Sequence, residues 1–284
     1  MRALQQSARS LSGAKLHAPD QLAIIAGNGV YPRVLARAAR AAGVRTIFGL
    51  AFEGETDAEL GQLVDEICWL RVGQLNRMLS TLREAKISNA IMAGQIAPRN
   101  LFDLHPDWRA LLLLAKLKQR NAESIFRAIA GELDKIGVAL LPATTFLEDF
   151  LAGQDLIAGP KLSRREKADI DLAWGIAQKI AALDIGQTVV VKNGTVLAIE
   201  GFDGTNATVR RGGALGRGGA VMIKVAKPNQ DMRFDVPVIG PETISVAAEA
   251  KIRVIALEAG RTLLLEKENV ILAAQNAKIS LFGR

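Results

Sequence analysis

Between Gln21 and Leu141 the chain repeats one pattern: a short apolar run, a turn, then a stretch with apolar residues at helical spacing. LAIIAG reads as a buried strand, GNG as a tight glycine turn, and Pro32 as the first turn of a helix carrying Val34, Leu35, Ala38, Ala39 and Ala42 on one side. The pattern continues with strands at Thr46–Ala51 and Glu66–Leu70, a helix over Leu75–Ala85 and a strand at Asn89–Ala93. Helices over Trp108–Lys118 and Ala122–Ile136 and a strand at Val138–Leu141 follow. Strands alternating with helices need crossover connections, which place the strands parallel in one sheet. The expected fold class is α/β, with a Rossmann-like N-terminal domain over residues 21–152 built on a parallel sheet.

The pattern stops between Phe150 and Leu162, where Gly153, Gly159 and Pro160 break both periodicities. A second, mixed α/β domain is expected over residues 160–284. A helix at Arg165–Leu183 leads into TVVVK and TVLAIE, which flank Asn193-Gly194, a strong hairpin signal. Further strands are expected at Ala220–Val225, Arg253–Ala256 and Thr262–Leu265, and helices near Val246–Ala250 and Lys267–Gln275. Gly212–Gly219 reads as a glycine-rich turn. Residues 1–20 have Arg2, Arg9 and Lys15 with no acid before Asp20, and read as a disordered basic tail.

Composition narrows the function. No run approaches the roughly eighteen apolar residues of a membrane span, and with half of 284 residues apolar a sizeable core is within reach, so a soluble chain is expected. The single cysteine, Cys68, lies in the apolar run EICWL, reads as a buried small hydrophobe and suits a reducing compartment. A formal charge of +7 points to anionic partners. With one Tyr, and with no stacking cluster or helix-turn-helix pattern, no nucleic-acid partner is expected.

Four segments could carry chemistry. In KVAKPNQDMRFDVPVIG, Asp231 and Asp235 stand among Lys224, Lys227 and Arg233. If extended, Asp231, Arg233 and Asp235 share a face, an arrangement suited to a divalent cation on a phosphate; the alternative is an edge strand with an internal ion pair. IAGNGVYP sets Gly27, Asn28 and Gly29 before a helix N-terminus, where free amides favour an anion. It lacks the third glycine of the dinucleotide fingerprint and reads equally as a plain tight turn. AGQIAPRN puts Gly94 and Gln95 directly after a strand, at the sheet edge where open α/β folds bind ligands. EGFDGTN holds acids close to Arg210 and Arg211, or is a surface loop. His17 and His105 are far apart, and no nucleophile elbow or zinc-binding HExxH occurs. Any catalysis therefore falls to carboxylates, cations and a metal.

Taken together, IAGNGVYP, AGQIAPRN, ADIDLAWGIAQKIAALDIGQTVVV, AIEGFDGTNATVRR and KPNQDMRFDVPVIGPETI resemble the LpxI family of UDP-2,3-diacylglucosamine pyrophosphatases of Gram-negative lipid A biosynthesis, over nearly the whole chain from Gln21. The resemblance implies hydrolysis of the substrate diphosphate to UMP and 2,3-diacylglucosamine 1-phosphate with Mg²⁺ or Mn²⁺, in a cytoplasmic enzyme whose two domains hold the substrate between them. It also implies a glycolipid nucleotide partner and peripheral contact with the inner membrane. By position it puts the essential aspartate on Asp235, with Asp231 as second metal ligand and Arg233 beside them. Gly27, Asn28, Gly29, Gly94, Gln95, Thr205, Arg210, Lys227 and Gln230 would contact substrate. The chain departs from the family where EGTD becomes DGTN, with Asn206 in place of an acid. Loss of that acid leaves open a non-catalytic nucleotide-sugar or lipid-binding protein.

Overall fold

The computed structural model describes residues 18–96, 106–118, 121–228 and 230–284. Nearly all of the expected tail over 1–20, the APRN of AGQIAPRN, and His17 and His105 therefore lie outside the described residues.

Strands β1 (Gln21–Ala26), β2 (Thr46–Phe52), β3 (Glu66–Leu70), β4 (Asn89–Ala93) and β5 (Ala139–Leu140) form a sheet of order β3-β2-β1-β4-β5. Every neighbouring pair is parallel, as the alternation of strands and helices requires. Helices α1 (Tyr31–Ala41), α2 (Leu75–Glu84), α3 (Trp108–Lys116) and α4 (Ala122–Lys135) make the crossovers. Both faces of the sheet are covered, so β1 is apolar at successive positions rather than at alternate ones. Leu22, Ile24 and Ala26 pack with Leu35 and Ala39 of α1, while Ala23 and Ile25 face Met78, Leu79 and Leu82 of α2. Cys68 is only half-buried, with Thr81 Oγ1 at 4.0 Å, so it is not the fully buried hydrophobe expected.

The second sheet contains β6 (Asp155–Ala158), β7 (Thr188–Lys192), β8 (Thr195–Ile199), β9 (Ala220–Lys224), β11 (Ile252–Leu257) and β13 (Ser280–Gly283) in the order β6-β13-β11-β9-β7-β8. β9, β11 and β13 are mutually parallel, whereas β6 and the β7–β8 hairpin join antiparallel. Helix α5 (Arg164–Ala182) covers one face, burying Ile170, Ala173, Trp174 and Ala177. Helices α6 (Gly204–Gly216), α7 (Pro241–Glu249) and α8 (Lys267–Asn276) cover the other. The Asn193-Gly194 hairpin forms as expected, and Asp169 of α5 accepts both turn amides at 2.9 and 2.7 Å.

Two segments were not legible as the elements they form. β6 lies inside the stretch from Phe150 to Leu162 where the sequence shows neither periodicity; as a four-residue edge strand it carries no legible alternation. Of the glycine-rich run expected to be a turn, residues 212–216 are instead the end of α6, and only Arg217, Gly218 and Gly219, all at positive φ, make a turn. The helical glycines are spacers: a Cβ at Gly212 would stand 2.5 Å from the Val190 side chain, and one at Gly213 would stand 2.3 Å from the Ala250 carbonyl oxygen. The helix thus lies directly against β7 and the end of α7, and that closeness outweighs the low helix propensity of glycine.

In the second half β10 (Val238–Ile239) and β12 (Leu263–Leu264) form a two-stranded parallel sheet, and Leu263 also bridges to Leu151 at the end of the first half. Leu263 and Leu265 are buried in the same cluster as Leu35 of α1 and Ile24 of β1, with Val236 and Val238 packed alongside. Thus the second half places apolar residues into the core of the first.

Gly213→Ala should lower unfolding stability by about 1–3 kcal/mol, because backbone rather than a pliable side chain blocks the methyl group. Gly131→Ala, on α4 with open space around its Cβ, should instead raise stability by about 0.5–1 kcal/mol. Urea unfolding of both variants checks this; equal effects would contradict the packing described for α6.

Candidate active site

In the first sheet the strand order reverses between β1 and β4, the position where open parallel sheets bind ligands outside their carboxyl ends. Both glycine loops lie there and bond to each other. Gly27 N donates to Ala93 O at 2.7 Å, and Asn28 and Gln95 exchange backbone hydrogen bonds at 2.6 and 3.3 Å. A Cβ at Gly27 would be 2.6 Å from the Gln95 carbonyl oxygen, and one at Gly94 2.5 Å from that of Asn28. These two glycines are therefore fixed by the loop crossing itself. Gly29, with φ 89° and open space around it, makes the turn into α1.

Residue Tyr31, two positions further on, donates its hydroxyl to the Ala143 carbonyl just beyond β5. The Ala143 amide in turn donates to Met232 O at 2.8 Å, and Phe234 stacks on Phe126 of α4 with ring centroids 5.8 Å apart. These contacts seat the DMRFD segment at the carboxyl edge of the first sheet, next to the glycine loops, although the segment belongs to the second half of the chain. The local conformation differs from the extended one expected. The amides of Phe234 and Asp235 both donate to Asp231 O, at 3.1 and 3.0 Å, which closes a turn. Asp231, Arg233 and Asp235 therefore do not share a strand face.

Within that turn Arg233 donates Nε and Nη2 to the two Asp231 oxygens at 2.9 and 2.8 Å. The expected internal ion pair is present, but on a turn and not an edge strand. The Arg233 hydrogen bonds hold the Asp231 carboxyl below the ordinary carboxylate range, and Asp231 raises Arg233 in return. Asp235 has a different neighbour, with Oδ2 3.8 Å from Lys227 Nζ. Burial opposes charging of Lys227, but its hydrogen bond to Asp184 and the charges of Asp235 and Asp184 outweigh that and raise its pKa. Gln230 accepts from the Lys227 amide at 2.8 Å. Its Nε2 is buried and has no partner among the described residues.

Behind Asp235 stands a group that the sequence reading left out of the site. Lys224 ends β9 nearly fully buried and donates to Val238 O at 3.1 Å and Thr205 Oγ1 at 3.3 Å. The Thr205 hydroxyl donates to Glu200 Oε1 at 2.8 Å, and the other Glu200 oxygen accepts from the Gln187 amide at 3.1 Å. Burial pushes Lys224 below the usual lysine range, while the charges of Glu200 and Asp235 pull it back up. A lysine closing the apolar strand AVMIK was the available signal, because such a residue is buried only with partners. Thr205 belongs to this network. Arg210, five residues along α6 and so turned well away, is exposed and is not brought to it. Asp203 pairs with Arg211, and Asn206 Nδ2 donates to Glu242 Oε1 of α7 at 3.0 Å. EGFDGTN is accordingly the strand-to-helix corner that opens α6, and not a free loop.

Residues 21–150 match the LpxI N-terminal domain and residues 153–282 the LpxI C-terminal domain. The chain belongs to the LpxI family. A curated relative from Caulobacter vibrioides, the UDP-2,3-diacylglucosamine pyrophosphatase LpxI, is 31% identical over 274 residues, covering 93% of this chain and 97% of its own. A biotin carboxylase domain of Hydrogenobacter thermophilus 2-oxoglutarate carboxylase, solved with MgADP, ADP and bicarbonate, aligns over 62% of this chain and 35% of its own. Identity there is 15% and the TM-score 0.27, a likeness too slight to carry an argument. The LpxI match spans both halves of the chain, as the resemblance of the sequence implies.

The Asp231–Arg233 pair has a pH signature. A carboxyl lowered in the folded state adds stability above its unfolded pKa, and that contribution is lost as pH falls through the folded value. Arg233→Gln should therefore cost roughly 1 kcal/mol near neutral pH and nothing once Asp231 is protonated. Urea unfolding of both proteins across the acid range reads this, and a cost independent of pH would contradict it.

Proposed function

We propose that this chain hydrolyses the phosphoanhydride of UDP-2,3-diacylglucosamine, releasing UMP and 2,3-diacylglucosamine 1-phosphate in lipid A biosynthesis. Membership of the LpxI family and the end-to-end match to the Caulobacter vibrioides pyrophosphatase support this reading. The observation that carries it is the seating of the Asp231–Asp235 turn, with Lys227, beside the glycine loops at the carboxyl edge of the first sheet. That placement brings a carboxylate and cations to the location where a nucleotide diphosphate would lie.

In the proposed mechanism the Gly27–Gly29 and Gly94–Gln95 loops hold the UDP portion against the N-terminus of α1, whose free amides favour an anion. Lys227 offsets the negative charge that accumulates during attack. Asp235 positions the water and takes its proton. The water oxygen bonds to phosphorus, the anhydride P–O bond breaks, and its electron pair leaves on the departing phosphate. Lys224 and Glu200 act from behind by fixing the charge around Asp235 and the start of α6.

The donor set bears on the expected cation. Among the described residues no three His, Cys, Asp or Glu side chains are grouped to hold a metal, and both Asp231 oxygens are engaged by Arg233. A two-aspartate clasp does not fit unless Arg233 lets go. Asp235 together with substrate phosphate oxygens does fit, since Mg²⁺ is commonly held by one or two carboxylates, phosphates and waters. An Mg²⁺ or Mn²⁺ ion held there would neutralise phosphate charge and acidify a bound water. The acylated substrate places the proposed enzyme peripherally on the cytoplasmic face of the inner membrane. No helix among the described residues is long and apolar enough to cross a membrane.

The test is UMP release from detergent-dispersed UDP-2,3-diacylglucosamine with Mg²⁺ or Mn²⁺, then with chelator. Asp235→Ala should lower turnover roughly a hundred- to a thousandfold with an unchanged circular dichroism spectrum. Chelator should abolish turnover by the native protein. Undiminished turnover in the folded variant would remove Asp235 from the mechanism, and no UMP from the native protein with either metal would refute the activity.

A further inference from the structure

Helix α3 buries one side only. Ala110 and Leu113 pack onto the first sheet's core, whereas Trp108, Leu111 and Leu112 are 62%, 54% and 52% exposed. An apolar face of this kind, with a tryptophan at one end, is costly in water and normally marks a contact surface. Its charges are one-sided: residues 108–118 contain Arg109, Lys116 and Lys118 and no acid. Arg109 pairs with Glu132 at 2.7 Å, but Lys116 and Lys118 are exposed and form no ion pair among the described residues. An apolar face bordered by uncompensated cations and a tryptophan matches the chemistry of an anionic bilayer surface, where aromatic rings sit at headgroup depth and lysines meet the lipid charge. A protein partner with the same charge preference would need an acidic rim around an apolar centre.

The position of the face also suits this role. Glu132 of α4 holds Arg109 of α3, and six residues earlier, about 9 Å along the helix axis, Phe126 stacks on Phe234 of the turn that carries Asp235. The α3 face and the acid turn therefore flank the same helix. From these observations we infer that the exposed face of α3 docks on an anionic membrane surface, which brings the Asp231–Asp235 turn close to the lipid from which an acylated substrate is drawn. The inference rests on the proposed acylated substrate for its purpose. Its test, vesicle binding, needs no turnover and so can fail independently of the activity.

The experiment is co-sedimentation of the full chain with vesicles of phosphatidylethanolamine and phosphatidylglycerol, beside vesicles of phosphatidylcholine alone. Tryptophan quenching by brominated acyl chains is read in parallel. Expected is binding to the anionic vesicles, weakened by salt, with quenching that disappears in Trp108→Phe. Leu111→Asp with Leu112→Asp should reduce partitioning by about tenfold or more while leaving UMP release from detergent-dispersed substrate unchanged. No partitioning by the native protein, equal partitioning by the variant, or equal binding to both vesicle types would overturn the inference. So would a self-associated native protein that the double substitution turns into a monomer, because the face would then be covered by a second copy.

Discussion

The arrangement of the site depends on one seating: the stretch leaving β9 is pinned on the first half of the chain. The backbone hydrogen bond from Ala143 to Met232, the Phe126–Phe234 stack and the burial of Leu263 and Leu265 beside β1 do this together. Buried apolar contact supplies the energy, at about 25 cal/mol per Å², and the hydrogen bond sets the register. Without it, Asp235 would hang from the second sheet with no fixed relation to the glycine loops. With it, groups more than two hundred residues apart in sequence occupy one edge.

Charge at that edge is graded. Asp231 is neutralised at once by Arg233, Lys227 is shared between Asp184 and Asp235, and Lys224 is buried with Glu200 as its counter-charge through Thr205. A buried lysine has to be paired or lose its proton, so the Lys224–Thr205–Glu200 network ties the end of β9 to the start of α6. Asp231 works in the same manner, fastening Arg233 within the turn. This leaves Asp235, whose cation stands 3.8 Å away, as the carboxylate in the turn best able to take a new partner.

Much of this was legible in the chain. The parallel sheet follows from alternating apolar runs and helical spacing, the Asn193-Gly194 hairpin from its turn chemistry, and the convergence of two glycine loops from their place after β1 and β4. What stayed hidden was tertiary. In α6 the glycines Gly212 and Gly213 look like a turn, because the neighbours that require them, Val190 and Ala250, are remote in sequence. The DMRFD segment looks extended by its alternating charges, yet two amides closing on Asp231 O make it a turn. The Lys224–Glu200 network could be suspected from a lysine ending an apolar strand, but its partner could not be named from spacing.

The central claim is that the acid turn of the second half and the glycine loops of the first form one binding surface. Hydrogen–deuterium exchange on Asp235→Asn, with and without UDP-2,3-diacylglucosamine, tests this directly. The account predicts that peptides spanning Gly27–Val34 and Gln230–Val236 gain protection together, at the same substrate concentration. Protection confined to one of the two, with the other unchanged at saturation, would contradict it.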